Sequence, residues 1–471
     1  MILTIAAQEK EVLLFSIILY LALTVVIGFI ASRRVQTSGD FMLAGRSLPI
    51  VLSTAALFAT WFGSETVFGA SSQFLEGGLY AVIEDPFGAA LCLFLFGMFF
   101  ARKLYRMNLL TLGDFFKVRF GARTELIAGI FIVPSYLGYI AAQLVAMGLI
   151  LNVVTGMETW MGVVISAVIV TFYTYTGGMW AISVTDFIQG ILIIAGLLAL
   201  AAVMSIKAGG VGVVLSEVPA RDFRFLPSFD FFEITAYLAA WSVLGLGSIP
   251  SQDVFQRVMS SGSERTAIRS CFYAAGLYLT VAMLPLFISL CTKHLYPDQL
   301  TGDLQLSLPR MVLAHMPLWV QVVFFGSLLS AIMSTTSSAI LAPAAVLSEN
   351  IIKPVFREKI NDKKLLLITR VSVLLFSVIA TVMATMRNNI YELVGESSVV
   401  SLVSLFIPLT LGLYWPSGTG KGAVAAMFTG IISWLLFKWI DTGVPELVPA
   451  TLISLVTMVT VSIYQRNKTS I

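Results

Sequence analysis

Trp61-Phe62-Gly63-Ser64-Glu65-Thr66, with Gly69 one turn later, lies inside a run of residues apolar enough to enter a bilayer. Gly, Ser and Thr in series make a weak helix, and an acidic side chain at membrane depth costs about 2.5–3.5 kcal/mol on insertion scales unless paired or wetted. A second stretch has the same character: Trp241-Ser242-Val243-Leu244-Gly245-Leu246-Gly247-Ser248-Ile249-Pro250, followed by Ser251, Gln252 and Asp253. Pro250 removes a backbone donor and clashes with the preceding turn. Glycines of this kind also serve close helix packing, and that reading stands beside a functional one. Two interrupted spans at matching places are nevertheless the sequence pointer to a binding site at the bilayer midplane.

Working outward, 58% of the 471 residues are hydrophobic and 12% are charged, against roughly 45–50% and about 25% in soluble domains. A globule of this size cannot be solvated by so little charge. Apolar runs of membrane-crossing length fall near 13–32, 48–70, 81–101, 125–153, 159–176, 184–206, 234–253, 268–291, 317–349, 366–386, 392–414, 422–439 and 446–464. The expectation is one all-α polytopic membrane domain, 1–471, with 13 transmembrane helices. The interrupted second and seventh spans are four crossings apart, so each opens a group of five. An odd number per group inverts the second group relative to the first.

Charge tests the frame. Alternate loops hold Arg33, Arg34 and Arg46; Arg102, Lys103, Arg106, Lys117, Arg119 and Arg123; Arg257, Arg265 and Arg269; Lys353, Arg357, Lys359, Lys363, Lys364 and Arg370; Lys421; and Arg466 with Lys468. These are 21 of the 29 basic residues, which puts the N-terminus outside and the C-terminus in the cytoplasm. The net charge of +3 is therefore a topology signal, and no nucleic-acid partner is expected. Neither a P-loop nor a dinucleotide fingerprint occurs, so no nucleotide partner is expected either. Cys92, Cys271 and Cys291 lie in apolar stretches without paired spacing, and His294 and His315 share one polar segment with no ligand at metal spacing. The first apolar run is too long for a secretory leader. With compact loops, this leads us to expect a multi-pass protein of a bacterial inner membrane.

The ninth span reads Ser330-Ala331-Ile332-Met333-Ser334-Thr335-Thr336-Ser337-Ser338. At helical pitch, Ala331, Ser334, Thr335, Ser337 and Ser338 fall within an arc of about 160°. Four hydroxyls on one face, with carbonyls of a broken neighbour, would supply the roughly five or six oxygens that a small hard cation wants. The alternative is that the hydroxyls bond back to their own helix. Asp186, at the start of the sixth span, either stabilises that helix N-terminus or balances a cation. Glu84 and Asp85, before Pro86, read most simply as first-turn acids.

Phe41-Met42-Leu43-Ala44-Gly45-Arg46, Gly177-Gly178 through Thr185-Asp186 with Gln189, Gln256-Arg257, and Ala331 to Ser338 together resemble the sodium/solute symporters. That family includes proline, sugar, sialic acid and choline transporters. The resemblance implies a LeuT-type core of five plus five inverted helices over 48–414, an extra helix and loop in 1–47, and two C-terminal helices in 415–471. It further implies a principal Na⁺ site at the Ala59, Phe62 and Ala331 carbonyls with Ser334 and Thr335, and a second at Asp186, Ser334, Ser337 and Ser338. Ala59-Thr60-Trp61, Phe255-Gln256-Arg257-Val258 and Ser260-Ser261 are similar to the choline branch, although a cage tryptophan of that branch falls on Ser251. Asp85 and Glu65 fall on acids of the sugar branch.

Candidate substrate residues are accordingly Trp61, Glu65, Asp85, Tyr136, Tyr139, Gln143, Ser248, Ser251 and Gln252. The expected activity is sodium-coupled import of a small organic solute, a zwitterion or quaternary amine, with two Na⁺ per cycle. A sugar, polyol or carboxylate symporter of the same fold is the alternative. A polytopic membrane enzyme using Glu65 and Asp85 as acid and base is a third reading.

Overall fold

The computed structural model describes residues 7–32, 37–356, 360–387, 389–440 and 442–469. Arg33, Arg34, Arg357 and Lys359, all counted above as loop cations, lie outside the described residues. Within them every regular element is a helix, and the single extended feature is an isolated parallel bridge between Leu48 and Ser261. Nine helices among the described residues are long and apolar enough to cross a membrane, and three shorter apolar ones accompany them: Glu11–Tyr20, Thr159–Phe172 and Phe231–Gly245. A length criterion passes over short pieces, and the broken helices supply them.

The second span is such a helix. Ile50–Phe58 ends at Ala59, and the chain turns through residues 60–64 before resuming as Glu65–Gly69 and Ala70–Gly77. The seventh behaves alike: Phe231–Gly245 stops, and Gln252–Met259 starts beyond Pro250. The fifth and sixth spans run together over Thr159–Lys207, kinked at Gly178 with φ 55° and ψ −162°. A side chain there would sit 2.7 Å from the Phe41 carbonyl, so both the left-handed φ and the close approach require glycine. Leu318–Val346, hereafter the serine-rich helix, packs extensively against Thr159–Lys207 and is almost wholly buried.

Polarity runs inside out, as the bilayer demands. Phe15, Val168, Phe172, Val378 and Val456 each leave more than half their surface exposed, while Ser, Thr, Asp and Gln side chains fill the interior. Loop contacts join segments that alternation puts on one side: Arg106 with Glu264, Arg46 with the Leu109 carbonyl, and Arg119 with the carbonyls of Gly412, Trp415 and Pro416. Lys293 with Asp222 and Arg387 with Glu396 do so on the other.

One contact positions both broken helices. Leu48, just before the first, donates its N–H to the Ser260 carbonyl at 3.0 Å, and its carbonyl accepts from Gly262 N–H at 2.9 Å. Ser260 and Gly262 directly follow Gln252–Met259, so the two half-helices are laced together at one end.

Candidate functional site

The serine-rich helix meets the first break at Thr335. Its hydroxyl lies 3.0 Å from the Ala59 carbonyl and 3.1 Å from the Ala331 carbonyl, so one proton serves two acceptors. The Ala59 carbonyl is available because its helix has ended. Three of the five residues expected at the principal ion site thus converge. Phe62 enters the break with a fully buried ring stacked on Phe58, centroids 4.8 Å apart. Gly63 leaves no room for more: a Cβ there would stand 2.8 Å from Gln143 Oε1 and 2.9 Å from Thr335 Oγ1.

Ser334 turns instead to Asp186 and hydrogen-bonds its carboxylate. Asp186 lies two turns past the Gly178 kink, so it does not cap that helix. Its other oxygen lies 3.3 Å from Arg257 Nη2, which also donates to Ser338 Oγ at 2.8 Å. Arg257 and Asp186 are both fully buried. Ser337 bonds back to the Ser334 carbonyl at 2.9 Å, as the helix-satisfied alternative holds. The second expected cluster therefore assembles Asp186, Ser334 and Ser338 around a guanidinium that the sequence reading placed among the loop cations and in a family motif but gave no role at the site. Gln256-Arg257, so close to Pro250, was the available sign that this basic residue follows a membrane break.

A narrow cleft lies between the two breaks. Of the nominated substrate residues, Trp61, Tyr136, Tyr139, Ser248 and Ser251 line it, together with Asp253, Ser397, Ser398 and Ser401. Tyr136 donates to Asp253 Oδ1 at 2.8 Å, and Tyr139 donates to the Thr60 carbonyl at 2.6 Å. Ser248 approaches Ser398 at 3.4 Å; a Cβ on Gly247 would stand 2.5 Å from the Ser398 carbonyl, so glycine lets this break close onto the eleventh span. Asp253 and the serines of the eleventh span were missed. Ser397, Ser398 and Ser401, spaced to share one helix face, were the sign of a polar wall.

Four nominated residues stand off the cleft wall. Glu65 accepts from Gln143 Nε2 at 2.7 Å and from Tyr139 at 3.1 Å, while Gln143 Oε1 takes the free Ser64 N–H at 3.1 Å. Both brace the broken backbone. Gln252 faces away and accepts from Leu112 N–H at 2.7 Å, at the start of Leu112–Phe120. Asp85 accepts from Tyr278 at 2.7 Å, on the helix Glu264–Leu295, and its own backbone is extended at φ −137°, so it is not a first-turn helix acid. Glu65 and Asp85 therefore hydrogen-bond to different helices and form no acid–base pair in the cleft. Among the described residues no three His, Cys, Asp or Glu side chains gather as metal ligands.

Two broken helices, a hydroxyl-bearing neighbour and an aromatic, carboxylate-bearing cleft between them define a polytopic membrane transporter. Residues 41–430 match the Sodium:solute symporter family, and the chain belongs to it. It is 28% identical to the human high affinity choline transporter 1 over 455 residues, 92% of this chain and 77% of that protein. It is 29% identical to the high-affinity proline transporter PutP of Bacillus subtilis (strain 168), over 93% of this chain and 95% of that one. A substrate-bound, outward-open Na⁺-coupled sialic acid symporter shares the fold, with a TM-score of 0.84 at 18% identity over 97% of both chains.

Proposed function

We propose that this protein is a sodium-coupled symporter that imports a small organic solute bearing a positively charged nitrogen, a zwitterion or a quaternary amine. The observation that carries the reading is the cleft itself: Trp61, Tyr136 and Tyr139 beside a buried Asp253, one turn of chain from the Thr335–Ala59 contact. Aromatic faces and a carboxylate both favour a cation, the first by about 0.5–2 kcal/mol per desolvated contact. Choline carries a quaternary ammonium and proline a secondary one, so the names of the similar transporters agree with this chemistry. A sugar or polyol is less well served, because Glu65 and Asp85, its supporting acids, stand off the cleft.

In this reading thirteen crossings span a bacterial inner membrane, N-terminus outside and C-terminus cytoplasmic, with a five-plus-five inverted core. The same-side pairing of the loop contacts supports that alternation. One Na⁺ binds at Ala59, Phe62, Ala331, Ser334 and Thr335. A second binds at Asp186, Ser334, Ser337 and Ser338, where it must displace the Arg257 guanidinium. Each transported charge gains about 2.3 kcal/mol per 100 mV, so a second ion multiplies attainable accumulation by roughly fifty-fold. Sodium favours the outward-open state, and the solute then closes the cleft.

Uptake by purified protein in proteoliposomes under an imposed sodium gradient tests the reading, with betaines, choline, amino acids and sugars as candidate solutes. Sodium-driven accumulation of an unmodified ammonium solute is expected. Replacing Asp186 or Ser337 by Ala should lower the Hill slope for sodium. Accumulation that ignores the sodium gradient would refute the assignment.

A further inference from the structure

Behind the first break, away from the cleft, Tyr278 Oη lies 2.7 Å from Asp85 Oδ1, 2.7 Å from Thr66 Oγ1 and 3.4 Å from the Trp61 carbonyl. Thr66 Oγ1 is itself 3.3 Å from that carbonyl. Four side-chain oxygens and one carbonyl oxygen thus share two hydroxyl protons. Gly63 donates its N–H to the Trp61 carbonyl at 2.7 Å. Asp85 and Thr66 are fully buried, and Asp85 Oδ2 has no hydrogen-bond partner.

Glu65 and Glu84 lie near Asp85. No Lys, Arg or His forms an ion pair with any of the three among the described residues, whereas Asp186 has Arg257. A buried carboxylate left without a counter-ion is costly and is relieved by a proton or by a positive partner. A proton on Asp85 Oδ2 would find no acceptor. A small hard cation would find about the five or six oxygens it needs, in the way carboxylate, hydroxyl and carbonyl ligands serve other hard ions.

We infer that Asp85, Thr66, Tyr278 and the Trp61 carbonyl form a further Na⁺-binding site, distinct from both sites on the serine-rich helix. The site rests on the sodium-coupled reading and adds to it a cation on the opposite flank of the broken segment. Trp61 joins the two functions: its side chain lines the solute cleft and its carbonyl belongs to this cluster. An ion here fixes the backbone from which that indole projects.

Equilibrium binding of radioactive ²²Na⁺ to the purified full-length protein, without solute, tests it. Asp85→Asn should bind one Na⁺ fewer per chain than wild type. Thr66→Val, which keeps shape and loses the oxygen, should weaken one class of site by at least tenfold while the thermal melting temperature in potassium chloride stays unchanged. Ser334→Ala/Thr335→Ala should keep the ion that Asp85→Asn loses. An unchanged count in Asp85→Asn together with unchanged affinities in Thr66→Val overturns the site. So does an unchanged count with loss of a pH-dependent proton uptake, which would put a proton on Asp85. Absence of Na⁺ binding in the wild type would instead sink the sodium-coupled reading itself.

Discussion

Gly63→Ala places one methyl group at the meeting point of the broken segment and the serine-rich helix. Its Cβ would lie 2.8 Å from Gln143 Oε1, 2.9 Å from Thr335 Oγ1 and 3.3 Å from Glu65 Oε2. Gln143 can swing aside at the expense of its bond to Ser64 N–H, a net loss of about 1 kcal/mol. Thr335 cannot easily do so, because a β-branched side chain in a helix has restricted χ1. Relief must therefore come from separating Thr335 from the Ala59 carbonyl, the pair expected to hold the ion. Overpacking of this kind costs about 1–3 kcal/mol. If that falls on the ion-bound state, sodium affinity drops by roughly 5- to 150-fold, at about 1.4 kcal/mol per factor of ten. The assay is the sodium concentration for half-maximal uptake at saturating solute, read with the sodium-induced rise in melting temperature. Gly190→Ala, whose nearest neighbour would be Phe58 at 3.9 Å, is the silent control. A half-maximal concentration for Gly63→Ala within twofold of wild type, with the sodium-induced stabilisation intact, would refute the placement of the ion.

Asp253→Asn keeps the bond from Tyr136 but removes the cleft's negative charge, and should weaken binding of an ammonium solute by roughly ten- to hundredfold, with little effect on sodium-induced stabilisation; competition binding measures this. Asp186→Asn leaves Arg257 buried without its partner and should cost about 3–5 kcal/mol, whereas Asp186→Asn with Arg257→Met should recover most of that in thermal unfolding. Gly178→Ala combines a left-handed φ with a methyl 2.7 Å from the Phe41 carbonyl, and should lower stability by about 2 kcal/mol or more without altering ion selectivity; a melting temperature equal to wild type would show that the kink relaxes freely.

Much of this architecture was legible before any coordinates. Apolar runs are long, so the helices follow from simple counting. The breaks were legible because Gly63, Ser64 and Pro250 act on the local backbone. What composition could not supply was partner choice between distant helices. Asp186 reads equally well as a helix-start acid or a counter-ion, and only the fold brings Arg257 to 3.3 Å from it. Glu65 and Asp85 were nominated for the solute because acids in spans are rare, yet their direction depends on Gln143 and Tyr278, 78 and 193 residues away. Asp253, quoted at the end of the seventh span, was not nominated for the solute, yet it is the second residue of Gln252–Met259 and buried.

The lacing of Leu48 to Ser260 and Gly262 has a mechanical consequence. Ile50–Phe58 leads to Ala59 at the proposed ion site, while Gln252–Met259 carries Asp253 at the cleft and Arg257 at Asp186. Stitched end to end by two backbone hydrogen bonds, the two short rods would turn together as one crank. Synchrony between cation and cargo would then be a property of rigid linkage, with no relay of intermediate side chains required.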